Sequence, residues 1–306
     1  MTKLPFIYDP RITLCDVAEQ GNTLRGVADG ALRDELNAYA TQCRLRLEVA
    51  FPDPVVRHVV AGRTPLFAEA SSESATVSEV GFGERLRAFD MRDGFVRVAS
   101  THDDYLGWVP ASVMGDLPES THRLTALRAH AYAAPRVSAM RLLPLAYGAP
   151  LHSLSEMEGW AEVVLGGGTG YVQKRLLEPL PSILEPTPES IVTFALRFLE
   201  APYVWGGTSA WGLDCSGLVQ TVYRAHGVPL PRDSDQQAQC GEGGGSGNVQ
   251  PADLLFFPGH VALALGNGRF LHANAHSMAV SVDSFDDGGY GQRLESQLTA
   301  VRRMLT

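Results

Sequence analysis

At 306 residues the chain exceeds one ordinary domain and points to two or three. Hydrophobic residues make up 45% and charged residues 19%, enough to bury a core and against a disordered chain. The formal charge is -9 with no Lys/Arg run, which argues against a nucleic-acid partner or an anionic membrane surface.

The segment from Met1 to Cys15 is interrupted by Pro5, Asp9, Pro10 and Arg11, so it lacks the apolar run of a signal peptide. No stretch approaches the roughly 18 apolar residues of a membrane span. With a native Met1, the expectation is a cytoplasmic protein without a membrane partner. Cys15, Cys43, Cys215 and Cys240 have no metal-ligand spacing and form no disulfide framework, so each is expected to be buried or catalytic. Residues 1–57 form an N-terminal extension: a helix is expected between Leu32 and Leu45, and the rest reads as an extended arm.

Two segments then repeat at an offset of about 65 residues. In the first, Gly81-Phe82-Gly83-Glu84 precedes Asp93-Gly94-Phe95-Val96-Arg97-Val98 and Tyr105-Leu106-Gly107-Trp108-Val109. In the second, Ala146-Tyr147-Gly148 precedes Glu158-Gly159-Trp160-Ala161-Glu162-Val163 and Gly170-Tyr171-Val172. Alternating apolar residues between glycines predict short strands and tight turns. The pattern resembles a pair of bacterial SH3-type barrels, at 58–118 and 119–182. Pro179, Pro181, Pro186 and Pro188 then mark a stiff linker.

The last domain, 187–306, opens on a helix. Thr187 can cap it, Pro188 suits its first turn, and Ile191, Phe194, Ala195, Phe198 and Leu199 form one apolar face. A second helix follows the loop Tyr203-Val204-Trp205-Gly206-Gly207. Asp214 is its candidate N-cap, which puts Cys215 in the first turn, and Gly227 is its stop. A thiolate gains there from unpaired N–H groups, and the Cys215 N–H can serve an oxyanion. Taken alone, a cysteine here is more often a small core residue, and the flanking loop, the cap and the base below reverse that reading.

Downstream, Asp253 to Phe257, His260 to Leu265 and Arg269 to Ala273 read as three strands. Gly266-Asn267-Gly268 makes the last two a hairpin. A two-residue turn would put His260 and His272 on opposite faces. A three-residue loop pairs Ala262 with His272 and makes the histidines diagonal neighbours on one face. The second register is expected, because it gathers Val261, Leu263, Leu265 and Leu271 on one side. His260, Ala262, Ala264, Phe270 and His272 take the other, where the alanines would admit the cysteine helix. His260 then serves as general base for Cys215, and His272 fixes its tautomer. A zinc site on Cys215, His260 and His272 is the weaker reading, since no fourth ligand accompanies them. No cofactor or metal is called for, and nothing bears on oligomeric state.

Tyr-Val-Trp-Gly-Gly, Leu-Asp-Cys-Ser-Gly-Leu-Val and Gly-His-Val-Ala-Leu-Ala-Leu-Gly-Asn-Gly-Arg-Phe-Leu-His-Ala resemble, in order, the NlpC/P60 cysteine peptidases. The resemblance implies an α+β, papain-like domain with helices packed on an antiparallel sheet, preceded here by the two barrels. It implies a catalytic set of Cys215, His260 and His272, with Tyr203 supporting the oxyanion. The paired barrels narrow the resemblance to cytoplasmic enzymes of cell-wall recycling. These cut the γ-D-glutamyl–diaminopimelate or γ-D-glutamyl–lysine bond of murein tri- and tetrapeptides that begin with free L-alanine. On that resemblance Asp214, Ser216, Ser234 and Trp205 contact substrate. A buried ammonium needs carboxylate and hydroxyl acceptors, for which Asp214, Glu84 and Tyr105 are candidates. Another Cys–His amidase or acyltransferase, or a non-catalytic wall-peptide binder, remains as an alternative.

Overall fold

The computed structural model describes residues 4, 6, 8–286 and 288–305. Residues 1–57 contain more than an arm. Strands β1 (Cys15–Gln20) and β2 (Thr23–Ala28) form a hairpin, and helix α1 (Arg33–Gln42) carries the chain to β3 (Arg46–Ala50), parallel to β2. Val17, Leu24, Leu32 and Leu36 give this unit its own small core. Leu14 packs instead against Ala99 and Leu106 of the next unit, so the segment before β1 is docked along it.

The first barrel-like unit comprises β4 (Val55–Val59), β5 (Arg63–Phe67), β6 (Thr76–Gly81), β7 (Arg85–Arg92), β8 (Phe95–Ser100), β9 (Leu106–Pro110) and the short β10 (Met114–Gly115). They form one sheet in the order β10-β4-β7-β8-β9-β5-β6. Asp93 and Gly94, both at positive φ, make the β7–β8 turn.

The second unit has β11 (His122–Leu124), β12 (Arg128–Tyr132), β13 (Arg141–Ala146), β14 (Pro150–Leu151), β15 (Ser153–Met157), β16 (Trp160–Val164), β17 (Thr169–Gln173) and β18 (Leu177–Pro179). Its β15–β16 turn carries Gly159 at φ 75°, repeating the first unit's device. The proline-marked linker is not wholly irregular, because β18 pairs with β11 before the run of prolines continues.

Phe82 of the first unit is 2% exposed and lies in the core of the second, among Leu124, Leu145 and Leu151. A Cβ on Gly83 would stand 2.6 Å from Pro150, which requires glycine at that contact.

In the last domain α2 (Pro188–Leu196) starts at Thr187, whose side chain accepts from the Ser190 N–H at 3.2 Å. Strands β19 (Thr208–Ser209) and β20 (Gly212–Leu213) form a small hairpin. Helix α3 (Cys215–Ala225) and the short α4 (Ser234–Gln237) follow. The sheet contains β21 (Glu242–Gly244), β22 (Leu254–Phe257), β23 (His260–Gly266), β24 (Arg269–Asn274), β25 (Ala279–Ser284) and β26 (Ala300–Arg303) in the order β21-β26-β22-β23-β24-β25. Helix α5 (Tyr290–Glu295) precedes β26.

The β23–β24 hairpin reaches the expected register by another device. Asn267 and Gly268 form a two-residue turn at φ 53° and 71°, pairing Gly266 with Arg269. A bulge between Ala264 and Gly266 then shifts the ladder by one, so that Ala264 faces Phe270 and Leu263 faces Leu271. The expected three-residue loop is therefore absent, but its consequence is kept.

The packing of the cysteine helix also differs from expectation. Leu218, Val219 and Val222 of α3 pack with Val261, Leu263 and Leu271. The alanine side, Ala262, Ala264 and Phe270, meets Leu294 of α5. The branched residues supply the apolar area that an amphipathic helix needs, and the alanines leave room for Phe270 and Phe257 on the opposite face.

Candidate active site

Asp214 starts α3 from an extended conformation, its carboxylate accepting from the Gly217 N–H at 2.7 Å. Cys215 is therefore the first helical residue, where a backbone N–H has no intrahelical partner. The β23–β24 ladder ends at Leu263 and Leu271, short of His260. At that end the Cys215 sulfur lies against the Val261 and Ser216 backbone N–H groups, both of which favour a thiolate. Burial dominates nonetheless, and with the neighbouring Asp214 charge it pushes the thiol up to about 11.

His260 and His272 share a face of the sheet. Their rings are joined from His260 Nε2 to His272 Nδ1 at 2.8 Å, and His272 Nε2 stands 2.8 Å from Asp283 Oδ2. With both rings neutral, one proton arrangement satisfies this line. The Asp283 carboxylate, held below its ordinary range chiefly by that bond, accepts from His272 Nε2–H. His272 Nδ1 must then accept, so His260 donates from Nε2 and its Nδ1 carries a lone pair. Burial first, and then electrostatic repulsion between the two adjacent rings once they take up protons, depress His260 to about 4. At neutral pH the resting pair is thus a thiol and a neutral imidazole. Among the described residues no hydrogen bond joins the thiol to the His260 ring, so proton transfer belongs to the substrate complex.

Tyr203 is half-buried beside this pair; burial first, then the charges of Cys215 and Asp214, hold its phenol above the ordinary value. Trp205 lies in the turn closed by the Gly207 N–H to Val204 carbonyl bond and is 70% exposed.

Two flanking residues have other work than expected. The Asp214 carboxylate accepts from the Gly206 and Gly217 N–H groups, from the Ser216 hydroxyl, and from Arg232 through Nη1 at 3.0 Å and Nη2 at 2.6 Å. Ser216 also accepts from Arg232 Nη1 at 2.9 Å. Both are buried, and Arg232 is 1% exposed. These groups fix the start of α3, and the Asp214 carboxylate is fully engaged there by its five donors.

Glu84 does not reach the site either. It pairs with Arg224 Nη1 at 3.4 Å, near the far end of α3 and nine residues from Cys215, about 13 Å along the axis. The glycine-rich turn that holds it faces the other end of the helix. Tyr105 reaches closer, its hydroxyl donating to Asp233 Oδ2 at 3.0 Å beside Ser234. The Ser234 hydroxyl makes no hydrogen bond among the described residues.

Sequence reasoning missed Asp283, Arg232, Asp233 and Tyr290. Tyr290 of α5 stacks on His272 at 5.9 Å and on His276 at 4.4 Å, which gives His276 its place. The signal for Asp283 was the alternation Ser281-Val282-Asp283 on the strand after His272, since His272 pairs with Ser281. Arg11 carries a further surprise: it binds Asp233 at 2.8 Å and Asp235 at 2.8 Å while held by Asp9. Among the described residues no group of three or more His, Cys, Asp and Glu side chains is arranged to hold a metal ion, and no helix is long and apolar enough to cross a membrane.

Residues 200–299 match the NlpC/P60 family, and residues 66–113 match the bacterial dipeptidyl-peptidase SH3 domain. Dipeptidyl-peptidase 6 of Lysinibacillus sphaericus is 29% identical over 269 residues, covering 79% of this chain and 97% of that protein. The γ-D-glutamyl-L-lysine dipeptidyl-peptidase of Bacillus subtilis (strain 168) is 31% identical over 169 residues, 53% of this chain and 55% of that one, so the match spans about half the relative's length. The crystal structure of an NlpC/P60 family protein from Bacillus cereus ATCC 10987 shares the fold with a TM-score of 0.72, at 22% identity over 82% of this chain and 100% of the other. A cysteine at a capped helix tip, a histidine line across the adjoining strands and these likenesses agree: residues 200–299 form an NlpC/P60 domain, the domain of a family of cysteine peptidases, and a bacterial SH3-type domain lies ahead of it at 66–113.

Proposed function

We propose that the protein is an endopeptidase of murein tri- and tetrapeptides, cutting the bond between γ-D-glutamate and the diamino acid when L-alanine carries a free amine. The observation that carries the reading is the line from the Cys215 helix tip through His260 and His272 to Asp283. Support for the substrate comes from the relatives' names, since the Bacillus subtilis protein is a γ-D-glutamyl-L-lysine dipeptidyl-peptidase.

In this mechanism the Cys215 proton passes to His260 Nδ1 as sulfur attacks the γ-carbonyl. The oxyanion accepts from the Cys215 N–H and the Tyr203 hydroxyl. His260 returns its proton to the leaving amine, giving a γ-thioester. Water, deprotonated by the same nitrogen, then releases the acid and restores the thiol. Tyr203 and the exposed Trp205 border the cleft. In place of Asp214 and Glu84, Asp233 with Tyr105 is the acceptor pair for the substrate ammonium, and the free Ser234 hydroxyl lies beside it.

The cytoplasm, as the place of wall-peptide recycling, belongs to the proposal. Four free cysteines suit a reducing compartment.

Incubation with L-Ala-γ-D-Glu-meso-diaminopimelate, its lysine counterpart and their N-acetylated forms tests the reading. Cleavage of the free-amine peptides alone supports it, and the ratio of the two rates gives the diamino-acid preference. Equal cleavage of acetylated peptides removes the amine requirement. No cleavage, with turnover of other amides, favours a different Cys–His amidase. Cys215→Ala should abolish turnover and keep binding, whereas Cys240→Ala should change little.

A further inference from the structure

His260 hands its proton to the departing amine, so the departing residue must lie on the histidine side of Cys215. Beyond His272 that side continues as a row of rings. The Tyr290 ring lies 5.9 Å from His272 at 21° and 4.4 Å from His276 at 20°. Arg293, three residues on and so on the same face of α5, brings its guanidinium 5.6 Å from the centre of the Tyr290 ring. Burial and then Asp283 raise the Tyr290 phenol above its ordinary value; Arg293 opposes the rise and Cys215 adds to it, so the phenol lies in the field of both.

This wall is held in place. Asn274, 2% exposed, accepts from the Ser277 N–H at 2.8 Å and hydroxyl at 2.9 Å and donates to Ser281 Oγ at 2.8 Å, which fixes the turn that carries His276. The Met278 carbonyl of the same turn accepts from the Tyr203 N–H at 2.9 Å. His276 is thus tied to the loop bordering the cleft on one side and to Tyr290 on the other.

The charge here is unbalanced. Asp283 Oδ2 is taken up by His272 Nε2 and the Ser281 hydroxyl. Asp286 turns toward Gly268, and Glu295, two residues from Arg293, points to another face of α5. Arg293 is exposed, and its guanidinium has no ion pair among the described residues. The α-carboxylate of a departing residue sits two bonds from the scissile nitrogen, whereas Arg293 stands a full ring beyond His272, at the depth of a side-chain end. Lysine would bring only an ammonium to that point, which the guanidinium repels; diaminopimelate would bring a carboxylate as well, which it attracts. We infer that Arg293, framed by Tyr290 and His276, is a specificity-determining residue that receives the distal carboxylate of meso-diaminopimelate and selects it over lysine. The inference rests on the endopeptidase reading and adds the diamino acid to it.

Steady-state kinetics of the full chain on L-Ala-γ-D-Glu-meso-diaminopimelate and L-Ala-γ-D-Glu-L-lysine test it. The unaltered protein should favour the diaminopimelate peptide in kcat/KM by at least about fivefold, the scale of one partly exposed charge-assisted pair. Arg293→Ala should bring the ratio within about twofold, by raising KM for the diaminopimelate peptide at constant kcat. Arg293→Glu should reverse the preference. An unchanged thermal midpoint, expected for an exposed side chain, shows that both variants are folded. A ratio near one or in favour of lysine, or a ratio that Arg293→Ala leaves as it was, would overturn the assignment while the endopeptidase reading stands. Cleavage of neither peptide would bring down both.

Discussion

The Nε2–H of His272 points at the Asp283 carboxylate, 2.8 Å away on the next strand. That bond leaves His272 only Nδ1 with which to meet His260, and so decides which His260 nitrogen is free. The catalytic tautomer is set two residues away from the sulfur.

Asp283→Ala should therefore lower kcat by roughly ten- to a hundredfold, less than loss of the base itself, with KM little changed. Asp283→Glu, if its longer arm still reaches Nε2, should recover part of the rate. Steady-state kinetics of both variants check this, and a raised KM at normal kcat would place Asp283 in binding instead.

The pH profile follows from the resting pair. His260 acts as its neutral form and is depressed to about 4, so acid inactivation in kcat/KM should begin below the ordinary histidine value of 6.5. The thiol is pushed up to about 11, so iodoacetamide labelling of Cys215 in the empty enzyme should climb with pH through the alkaline range. An acid limb centred near 6.5 or above, or labelling already saturated at pH 7, would indicate a preformed thiolate–imidazolium pair.

Arg232 and Asp214 form a buried bidentate pair at the root of α3. Arg232→Met leaves the carboxylate buried without its cation and should cost about 3–5 kcal/mol of stability. Urea unfolding of the purified variant measures it. Arg232→Lys should restore little, because one ammonium cannot bridge both oxygens and Ser216.

Arg11 holds Asp233, the acceptor assigned to the substrate ammonium. Arg11→Ala should lower KM several-fold for free-amine peptides and leave N-acetylated ones unaffected. An equal effect on both would tie Arg11 to domain docking alone.

The legible parts of the chain were those where local chemistry and tertiary structure agree. Thr187 and Asp214 cap the helices their spacing announces, and the two histidines fall on one face. The hairpin shows the limit: alternation revealed the face but could not distinguish a longer loop from a tight turn plus a bulge. The first N-terminal strand was hidden because its exposure does not alternate: in Cys15–Gln20 only Val17 is buried. The structural load on Asp214 and Ser216 was not legible, because a carboxylate beside a nucleophile looks available until its partner Arg232, 18 residues away, is placed. The Arg224 partner of Glu84 was not legible, because only the docking of the barrels reveals which end of α3 it meets.

Phe82 has a bearing on how the two barrels move. A side chain of one barrel sealed inside its neighbour acts as a rivet, and opening that joint would expose a full aromatic ring to water. The two barrels therefore present a rigid template to the peptidase domain. Any hinge motion between the barrels would have to break that joint first.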